Sequence, residues 1–223
     1  MIGITPTQLA VYGSGGSGRE VAWLAECCNV GQDRYRVVCF VDDNQAMHGA
    51  LVNSIPVMGL PAARTRFPEA RIAGGVGSPQ VRQRLMEKAA AVGFGFETLV
   101  HPQVQCSSWL EIGAGTVICA GSILTVNIVL GQHVQINLDC TISHDVVMGD
   151  YVTLAPGVHV CGSVHLGRRV WVGAGAVVFN GTPADPIVIG DDAVIGAGAC
   201  VTKSVAPGVT VVGVPARPLE RRA

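Results

Sequence analysis

The C-terminal part of the chain repeats with a period of six residues. From position 100 to position 178 every sixth residue is aliphatic or sulfur-containing, without a break. A period of six fits neither a helix nor a single strand, but it is typical of short strands joined by corners and stacked in coils. The pattern therefore predicts a parallel β-solenoid in which one side chain per hexad points inwards. This inward series is Val100, Cys106, Ile112, Ile118, Leu124, Leu130, Ile136, Ile142, Met148, Leu154, Val160, Leu166, Val172 and Val178.

The repeat changes phase once. After Val178 the next inward residues are Ile189, Ile195 and Val201, so five extra residues fall within the Gly-Thr-Pro-Ala-Asp-Pro segment at 181–186. Proline cannot donate a hydrogen bond to a neighbouring strand, which favours a loop at this place. Loops that project from a rigid scaffold often contact ligands.

The first hundred residues have a different organisation. An apolar strand at 8–12 is followed by a glycine-rich turn at 13–18 and an amphipathic helix. A second strand at 36–41 ends in two aspartates, and a third at 71–76 precedes a helix at 79–92. We therefore predict an α/β Rossmann-like domain over residues 1–97, followed by an all-β solenoid over 98–223 that includes a C-terminal tail.

The glycine turn suggests a nucleotide site. Gly13, Gly15 and Gly18 form a G-x-G-x-x-G pattern between a strand and a helix, and Asp42 follows the next strand, where a carboxylate can bind ribose hydroxyls. Fewer than a hundred residues are too few for both halves of a dinucleotide site, which argues against a nicotinamide oxidoreductase. A nucleoside diphosphate attached to another group fits better, since amides at a helix N-terminus bind phosphate.

Composition narrows the function classes. A formal net charge of −1 provides no basic field for nucleic acid. No apolar run is long enough to span a membrane, and the first residues lack the features of a signal peptide, which predicts a cytoplasmic protein. The eight cysteines form no CxxC pair, and we expect Cys106 and Cys140 to point inwards as small hydrophobic residues. We therefore predict neither a disulfide nor a metal site.

Among the six histidines, His144 is the strongest candidate for catalysis. It lies two residues after Ile142, at a predicted corner and next to Asp145. A neighbouring carboxylate can hold an imidazole in one tautomer and stabilise its protonated form, as a general base requires. A surface histidine without a role is the alternative. His48 and His101 are better explained as structural, and three weaker candidates remain: His133, His159 and His165.

These features together resemble a known family. The hexads, the His144-Asp145 pair, the Gly-Ala-Gly-Ala-Val-Val segment at 173–178 and the Val-Gly-Val-Pro-Ala-Arg-Pro segment at 212–218 resemble the left-handed β-helix (hexapeptide repeat) acyltransferases. With the glycine turn and the aspartate pair, nearly the whole chain is similar to the PglD type, which acetylates nucleotide-linked amino sugars. The resemblance implies transfer from acetyl-CoA to a sugar amine at C4, without a metal, by a homotrimer in polysaccharide biosynthesis.

The resemblance also implies roles for individual residues. His144 matches the general base, and Asp145 matches the acid that orients it, although this acid is usually Glu. The remaining matches are substrate-binding residues, namely Gly15, Gly16, Ser17, Asp42, Asp43 and Gly77, and acetyl-CoA contacts, namely Thr153, Gly162 and Ala174.

Two alternatives share this sequence pattern. A sialic-acid-type sugar O-acetyltransferase has both domains and the histidine, and a non-catalytic scaffold that binds nucleotide sugars would use the solenoid only for assembly. The residues leave open whether the nucleotide is UDP, GDP or dTDP, because ribose and phosphate contacts do not read the base.

Overall fold

The computed structural model describes residues 5–219, and the chain folds as two units that meet between Pro102 and Gln103. The division lies a few residues after the boundary predicted at 97. Residues 220–223 of the predicted C-terminal tail lie outside the described residues.

The N-terminal unit is a parallel sheet with helices between its strands. The elements are β1 (Thr7–Tyr12), α1 (Gly16–Cys27), β2 (Tyr35–Val41), a 3-10 helix (Gln45–Met47), β3 (Leu51–Val52), β4 (Ile55–Met58), α2 (Leu60–Arg66), β5 (Arg71–Gly74), α3 (Pro79–Ala91) and β6 (Leu99–Val100). The sheet has the order β3-β4-β2-β1-β5, in which β4, β2, β1 and β5 are parallel and β3 is antiparallel to β4.

The burial of the central strand agrees with the predicted α/β class of this unit. The apolar run from Leu9 to Tyr12 is buried on both faces, as expected of a parallel strand covered by helices. The predicted strands and helices are present with ends that differ by one or two residues. The sequence analysis predicted no strand or helix between Val41 and Arg71. It contains the β3-β4 hairpin and α2, and β4 adds a fourth parallel strand beside β2.

The C-terminal unit is a solenoid with three parallel sheets. As far as Val178, each strand pairs with the strand 18 residues further along, so three hexads make one coil. Across the 181–186 loop the interval is 23 residues, and the last parallel pair is 16 residues apart. The first sheet contains Gln105–Cys106, Ile123–Leu124, Thr141–Ile142, His159–Val160, Val177–Val178 and Cys200–Val201. The second contains Leu110–Ile112, Ile128–Leu130, Val147–Met148, Val164–Leu166 and Ile187–Ile189. The third contains Val117–Ile118, Gln135–Ile136, Thr153–Leu154, Trp171–Val172, Val194–Ile195, Thr210–Val212 and, antiparallel, Arg217–Pro218.

The inward series forms the solenoid core except at its first coil. From Ile118 to Val178 these side chains are buried, and Cys140, which lies between Ile136 and Ile142 of the series, is buried as well. The expectation that Cys106 is buried is wrong, because its thiol is exposed, and Ile112 is also 37% exposed. Within the solenoid, the strands of both residues pair with a neighbouring coil on one side only. An end position therefore lacks half of the cover that an inner coil receives.

The predicted loop at 181–186 is present. It connects Val177–Val178 to Ile187–Ile189, and Ile187 then pairs with Val164, so the stack resumes in register. In the part of the chain from residue 5 to residue 219, no helix is long and apolar enough to cross a membrane.

Candidate active site

His144 and Asp145 lie at a corner between the first and second solenoid sheets. His144 Nδ1 is 2.8 Å from Asp145 Oδ2. An ionised carboxylate only accepts hydrogen bonds, so Nδ1 carries the proton and the other ring nitrogen, Nε2, is left as a base. The two side chains are 60% and 45% exposed. The shorter acid therefore reaches the imidazole, and the ring can meet a substrate.

The imidazole ring of His144 packs on the next coil at Gly162. A β-carbon placed on Gly162 would lie 2.4 Å from Cε1 and 2.5 Å from Nε2 of the ring. Two hydrogen bonds hold the coils together here, from Ser163 N to His144 O at 3.0 Å and from Gly181 N to Gly162 O at 3.0 Å. The absence of a side chain at Gly162 thus allows the observed ring position. We call residues 126–127, 144–145 and 162–163, with the 181–186 loop, the histidine corner.

The carboxylate of Asp145 has a second partner. Asn127 Nδ2, one coil earlier, donates to Asp145 Oδ1 at 3.1 Å. The hydrogen bonds from His144 and then from Asn127 lower the pKa of Asp145 below its usual value. The carboxylate therefore stays ionised beside the imidazole.

The glycine turn of the N-terminal unit brings β1, α1 and β5 into close backbone contact. A β-carbon on Gly18 would lie 1.9 Å from the Gly13 carbonyl oxygen, and Gly13 itself has a φ of +113°. Around Gly15 and Gly16 the space is open, with Arg19 Nη2 at 4.0 Å from a β-carbon on Gly16 as the nearest atom within that range. The first and third glycines of the pattern serve the fold, whereas the backbone at Gly15 is open to a ligand.

Asp42 is tied to the glycine turn. Its Oδ2 accepts hydrogen bonds from Ser14 N at 3.0 Å and Ser14 Oγ at 2.5 Å, and its Oδ1 accepts from Asn44 N at 2.9 Å. Burial alone would raise the pKa of Asp42, but these hydrogen bonds bring it below its usual value. The carboxylate therefore fixes the turn that leads to the N-terminus of α1.

Asp43 connects β1 to α3. Its Oδ1 accepts from Tyr12 Oη at 2.7 Å and its Oδ2 pairs with Lys88 Nζ at 2.5 Å. Burial opposes ionisation, yet the hydrogen bonds from Lys88 and Tyr12 lower the pKa of Asp43 below its usual value. Neither Tyr12 nor Lys88 was identified from the sequence, since nothing in the local pattern marks contacts 31 and 45 residues away.

Two adjoining depressions share Tyr12, Asp42, Asp43 and Lys88. One, of about 380 Å³, extends to Gly13, Val76, Val81, Arg84 and Leu85. The other, of about 430 Å³, extends to Gln45, His48, Gly59, Leu60, Pro61, Ala91 and Val92. Both lie at the carboxyl ends of the parallel strands, where α/β sheets bind ligands. The predicted Gly77 is close by, because a β-carbon there would lie 3.7 Å from Ser17 Oγ.

Known proteins match the chain over both units. Residues 8–89 match the family model of the PglD N-terminal domain. GDP-perosamine N-acetyltransferase of Escherichia coli O157:H7 is 34% identical over 223 residues, which cover 95% of this chain and 96% of that protein. The chain belongs to the PglD-type nucleotide-amino-sugar N-acetyltransferases.

Two solved structures extend the likeness to the whole fold of this acetyltransferase. The acetyltransferase domain of PglB from Neisseria gonorrhoeae FA1090, in complex with acetyl coenzyme A, matches with a TM-score of 0.84 and 33% identity over 96% of this chain and 100% of that chain. PerB from Caulobacter crescentus, in complex with CoA and GDP-perosamine, matches with a TM-score of 0.84 and 27% identity over 96% and 97%.

The family confirms the main predictions. The fold is a Rossmann-like domain followed by a β-helix, and the activity is acetyl-CoA-dependent N-acetylation of a nucleotide-linked amino sugar. Residues 5–219 contain no group of three or more His, Cys, Asp or Glu that could hold a metal ion. All eight cysteines are free thiols.

The three predicted acetyl-CoA contacts of the acetyltransferase lie on different sides of the solenoid. Thr153 is in a strand of the third sheet and only 2% exposed, Gly162 is at the histidine corner, and Ala174 is exposed at the corner after the third sheet. A further depression of about 370 Å³ lies at the end of the solenoid. It is mainly apolar but includes Lys203 and Arg217, which were not predicted.

The other histidines have structural surroundings or lie outside the histidine corner. His48 Nε2 is 2.8 Å from Asp42 O, and the His101 ring lies 6.3 Å from the Trp23 ring. His133 is buried and stacks on Tyr151. Two exposed histidines occupy outward strand positions, His159 and His165.

Proposed function

We propose that this acetyltransferase modifies the C4 amine of a 4-amino-4,6-dideoxy sugar carried on a nucleoside diphosphate, with His144 as general base. The observation that carries this proposal is the 2.8 Å contact between His144 Nδ1 and Asp145 Oδ2, with the ring seated on Gly162. The E. coli relative is named for GDP-perosamine, and the Caulobacter structure contains it, so GDP is the first nucleotide to test.

The proposed step is direct transfer. A sugar amine is largely protonated near neutral pH and must lose a proton before its nitrogen can attack the thioester carbon. His144 Nε2 takes that proton, which typically contributes about 10²–10⁴ in rate. The new N–C bond forms as the C–S bond breaks, the imidazolium returns its proton to the departing thiolate, and the second proton that the nitrogen loses on becoming an amide passes to solvent. Asp145 stabilises the imidazolium between these two transfers.

The N-terminal unit suits the nucleotide end of the substrate. The amides at the start of α1 point to open space beside Gly15 and Gly16, a favourable site for diphosphate oxygens. The predicted substrate residues Asp42 and Asp43 lie at the edge of the same depressions. Their oxygens already accept internal hydrogen bonds, but Oδ1 of Asp42 and both carboxylate oxygens of Asp43 keep a further lone pair that can accept a ribose hydroxyl.

For acetyl-CoA, we propose that Gly162 and Ala174 provide main-chain contacts and that Thr153 lies near the cofactor. These residues lie on different sides of two neighbouring coils, which is compatible with a cofactor held between two copies of the chain. Lys203 and Arg217 offer positive charge for its phosphates at the end of the solenoid.

We propose a homotrimer as the assembly. Support comes from a stripe of outward valines on the second sheet, where Val129, Val147 and Val188 are 38%, 38% and 43% exposed and lie in register with His165 between the last two. A row of aliphatic side chains in water favours association with another surface.

Replacement of His144 by Ala tests the proposed chemistry. We expect turnover to fall by about 10³-fold, because the proton acceptor is lost, while binding of acetyl-CoA is retained. The measurements are coenzyme A release with GDP-linked 4-amino-4,6-dideoxy sugar and calorimetric titration with acetyl-CoA. Near-normal turnover in His144→Ala would remove the base assignment, and acetylation of a hydroxyl in preference to the amine would replace the proposed acceptor.

A further inference from the structure

Asp145 is held from two sides, by its chain neighbour His144 and by Asn127 on the preceding coil. Its Oδ2 is 2.8 Å from His144 Nδ1, and its Oδ1 is 3.1 Å from Nδ2 of Asn127, 18 residues earlier. Each carboxylate oxygen therefore has a defined side-chain partner. A carboxylate held at one oxygen can still rotate about its Cβ–Cγ bond, whereas a second hydrogen bond at the other oxygen restricts the plane of the group.

The backbone explains why these two side chains meet. Asn127 and Asp145 have φ values of +56° and +59°, the left-handed conformation that Asn and Asp tolerate better than most residues. Asp145 N donates to Val126 O at 3.2 Å, which stacks one corner on the other. Corners of equal conformation, one coil apart, project their side chains in the same direction, so the amide of Asn127 lies beside the carboxylate.

We propose that Asn127 is a positioning residue for the general base and acts through Asp145. The proposal rests on the proposed function of His144. The amide holds the carboxylate in the orientation in which Oδ2 accepts the Nδ1 proton. The ring is then fixed with Nε2 directed at the amine, while Gly162 leaves room for it. A loosened carboxylate would let the ring rotate and reduce the fraction of molecules in which Nε2 faces the substrate.

Asn127 also lines a depression of about 450 Å³ with Trp109, whose side chain is 68% exposed. A direct contact between Asn127 and the sugar is therefore the competing explanation. The two explanations differ in their kinetics. A residue that acts through Asp145 affects turnover and loses its effect once Asp145 is changed, whereas a sugar contact affects KM and is independent of Asp145.

The test is a double-mutant cycle with Asn127→Gly and Asp145→Asn. Glycine keeps the left-handed corner without strain and removes the donor. We expect Asn127→Gly to lower kcat about tenfold, with KM for both substrates unchanged. In the Asp145→Asn background the same change should lower kcat by less than twofold. The proposal is wrong if the two changes lower kcat independently, so that their fold-losses multiply in the double variant. It is also wrong if Asn127→Gly raises KM for the sugar and leaves kcat normal.

Two further variants distinguish loss of the Asn127 hydrogen bond from a folding defect. Asp139 occupies another left-handed corner with a φ of +57° and an exposed side chain, so Asp139→Gly is a matched control that should keep normal turnover. Asn127→Asp keeps the shape and the backbone preference but replaces the donor with an acceptor beside Asp145. It should reduce kcat further than Asn127→Gly, and an unchanged kcat in this variant would contradict the proposal.

His144→Ala, assayed beside these variants, separates the two hypotheses. If His144→Ala retains near-normal turnover, the proposed function itself is wrong. If His144→Ala is inactive while Asn127→Gly and Asn127→Asp turn over at the full rate, His144 remains the base and only the positioning role of Asn127 is wrong.

Discussion

The glycines of the two units are required by different neighbours. In the N-terminal turn, a β-carbon on Gly18 would meet a main-chain oxygen at 1.9 Å. At the histidine corner, a β-carbon on Gly162 would meet the ring of His144 at 2.4 Å. A β-carbon on Gly15 would meet no atom within 4 Å apart from those of its chain neighbours. The same residue type therefore serves backbone packing, the placement of the proposed base and the proposed approach of a ligand, and a single kind of substitution can separate these roles.

The largest effect is expected for Gly18→Ala, and it concerns stability. Gly18 lies inside α1, so alanine gains about 1 kcal/mol of helix propensity. The overlap with the Gly13 carbonyl requires the backbone to shift, at a cost of about 4 kcal/mol. The net loss of about 3 kcal/mol corresponds to a fall of about 15 °C in the Tm of a unit of this size. Calorimetry of the full chain measures it, and an unchanged Tm would mean that the backbone contact is easily relaxed.

The next effect is expected for Gly162→Ala, and it concerns turnover. The imidazole is the end of a side chain that can rotate aside, so the fold should lose only about 1 kcal/mol. A displacement of the ring by about 1 Å can reduce turnover by about 10²-fold. Kinetics should show this fall in kcat with a small change in Tm. A raised KM for acetyl-CoA with normal kcat would instead mean that Gly162 serves only as a cofactor contact.

The smallest effect is expected for Gly15→Ala, and it concerns binding. The backbone at Gly15 has an ordinary φ of −74°, so alanine strains nothing in the fold. Its methyl group would enter the space proposed for the diphosphate and weaken binding by about tenfold, or about 1.4 kcal/mol. The observable is a smaller thermal shift with GDP, UDP or dTDP, at unchanged Tm without ligand. If the ligand raises the Tm of the variant and of the parent protein equally, the phosphates bind at another place.

Much of the solenoid could be predicted because each hexad contains the same local sequence signals. One inward apolar residue and one corner recur every six positions, so the strands, the core and the 181–186 loop follow from the spacing alone. The prediction failed at Cys106, where the repeat continues in sequence but the cover of a neighbouring coil is missing on one side. Burial depends on neighbours in space, and the period describes only the chain.

The candidate site was less predictable because its contacts join residues that are distant in sequence. His144 and Asp145 are adjacent and could be recognised, whereas Asn127 contacts Asp145 across a full coil. A comparison of polar corner residues at intervals of three hexads would have aligned Asn127, Asp145 and Ser163. No such rule exists for Lys88, whose contact with Asp43 depends on where α3 packs beside the sheet.

The loop at 181–186 has a consequence for how such enzymes diversify. It leaves the stack where Gly181 N bonds Gly162 O and rejoins where Ile187 pairs with Val164, so the coils before and after it remain in register. Its length is thereby uncoupled from the geometry of the core. Residues can be added, deleted or exchanged in this segment without moving His144, so the loop can change independently of the solenoid core. Under the proposed function, this loop can vary in sequence and length while the proposed base stays in place.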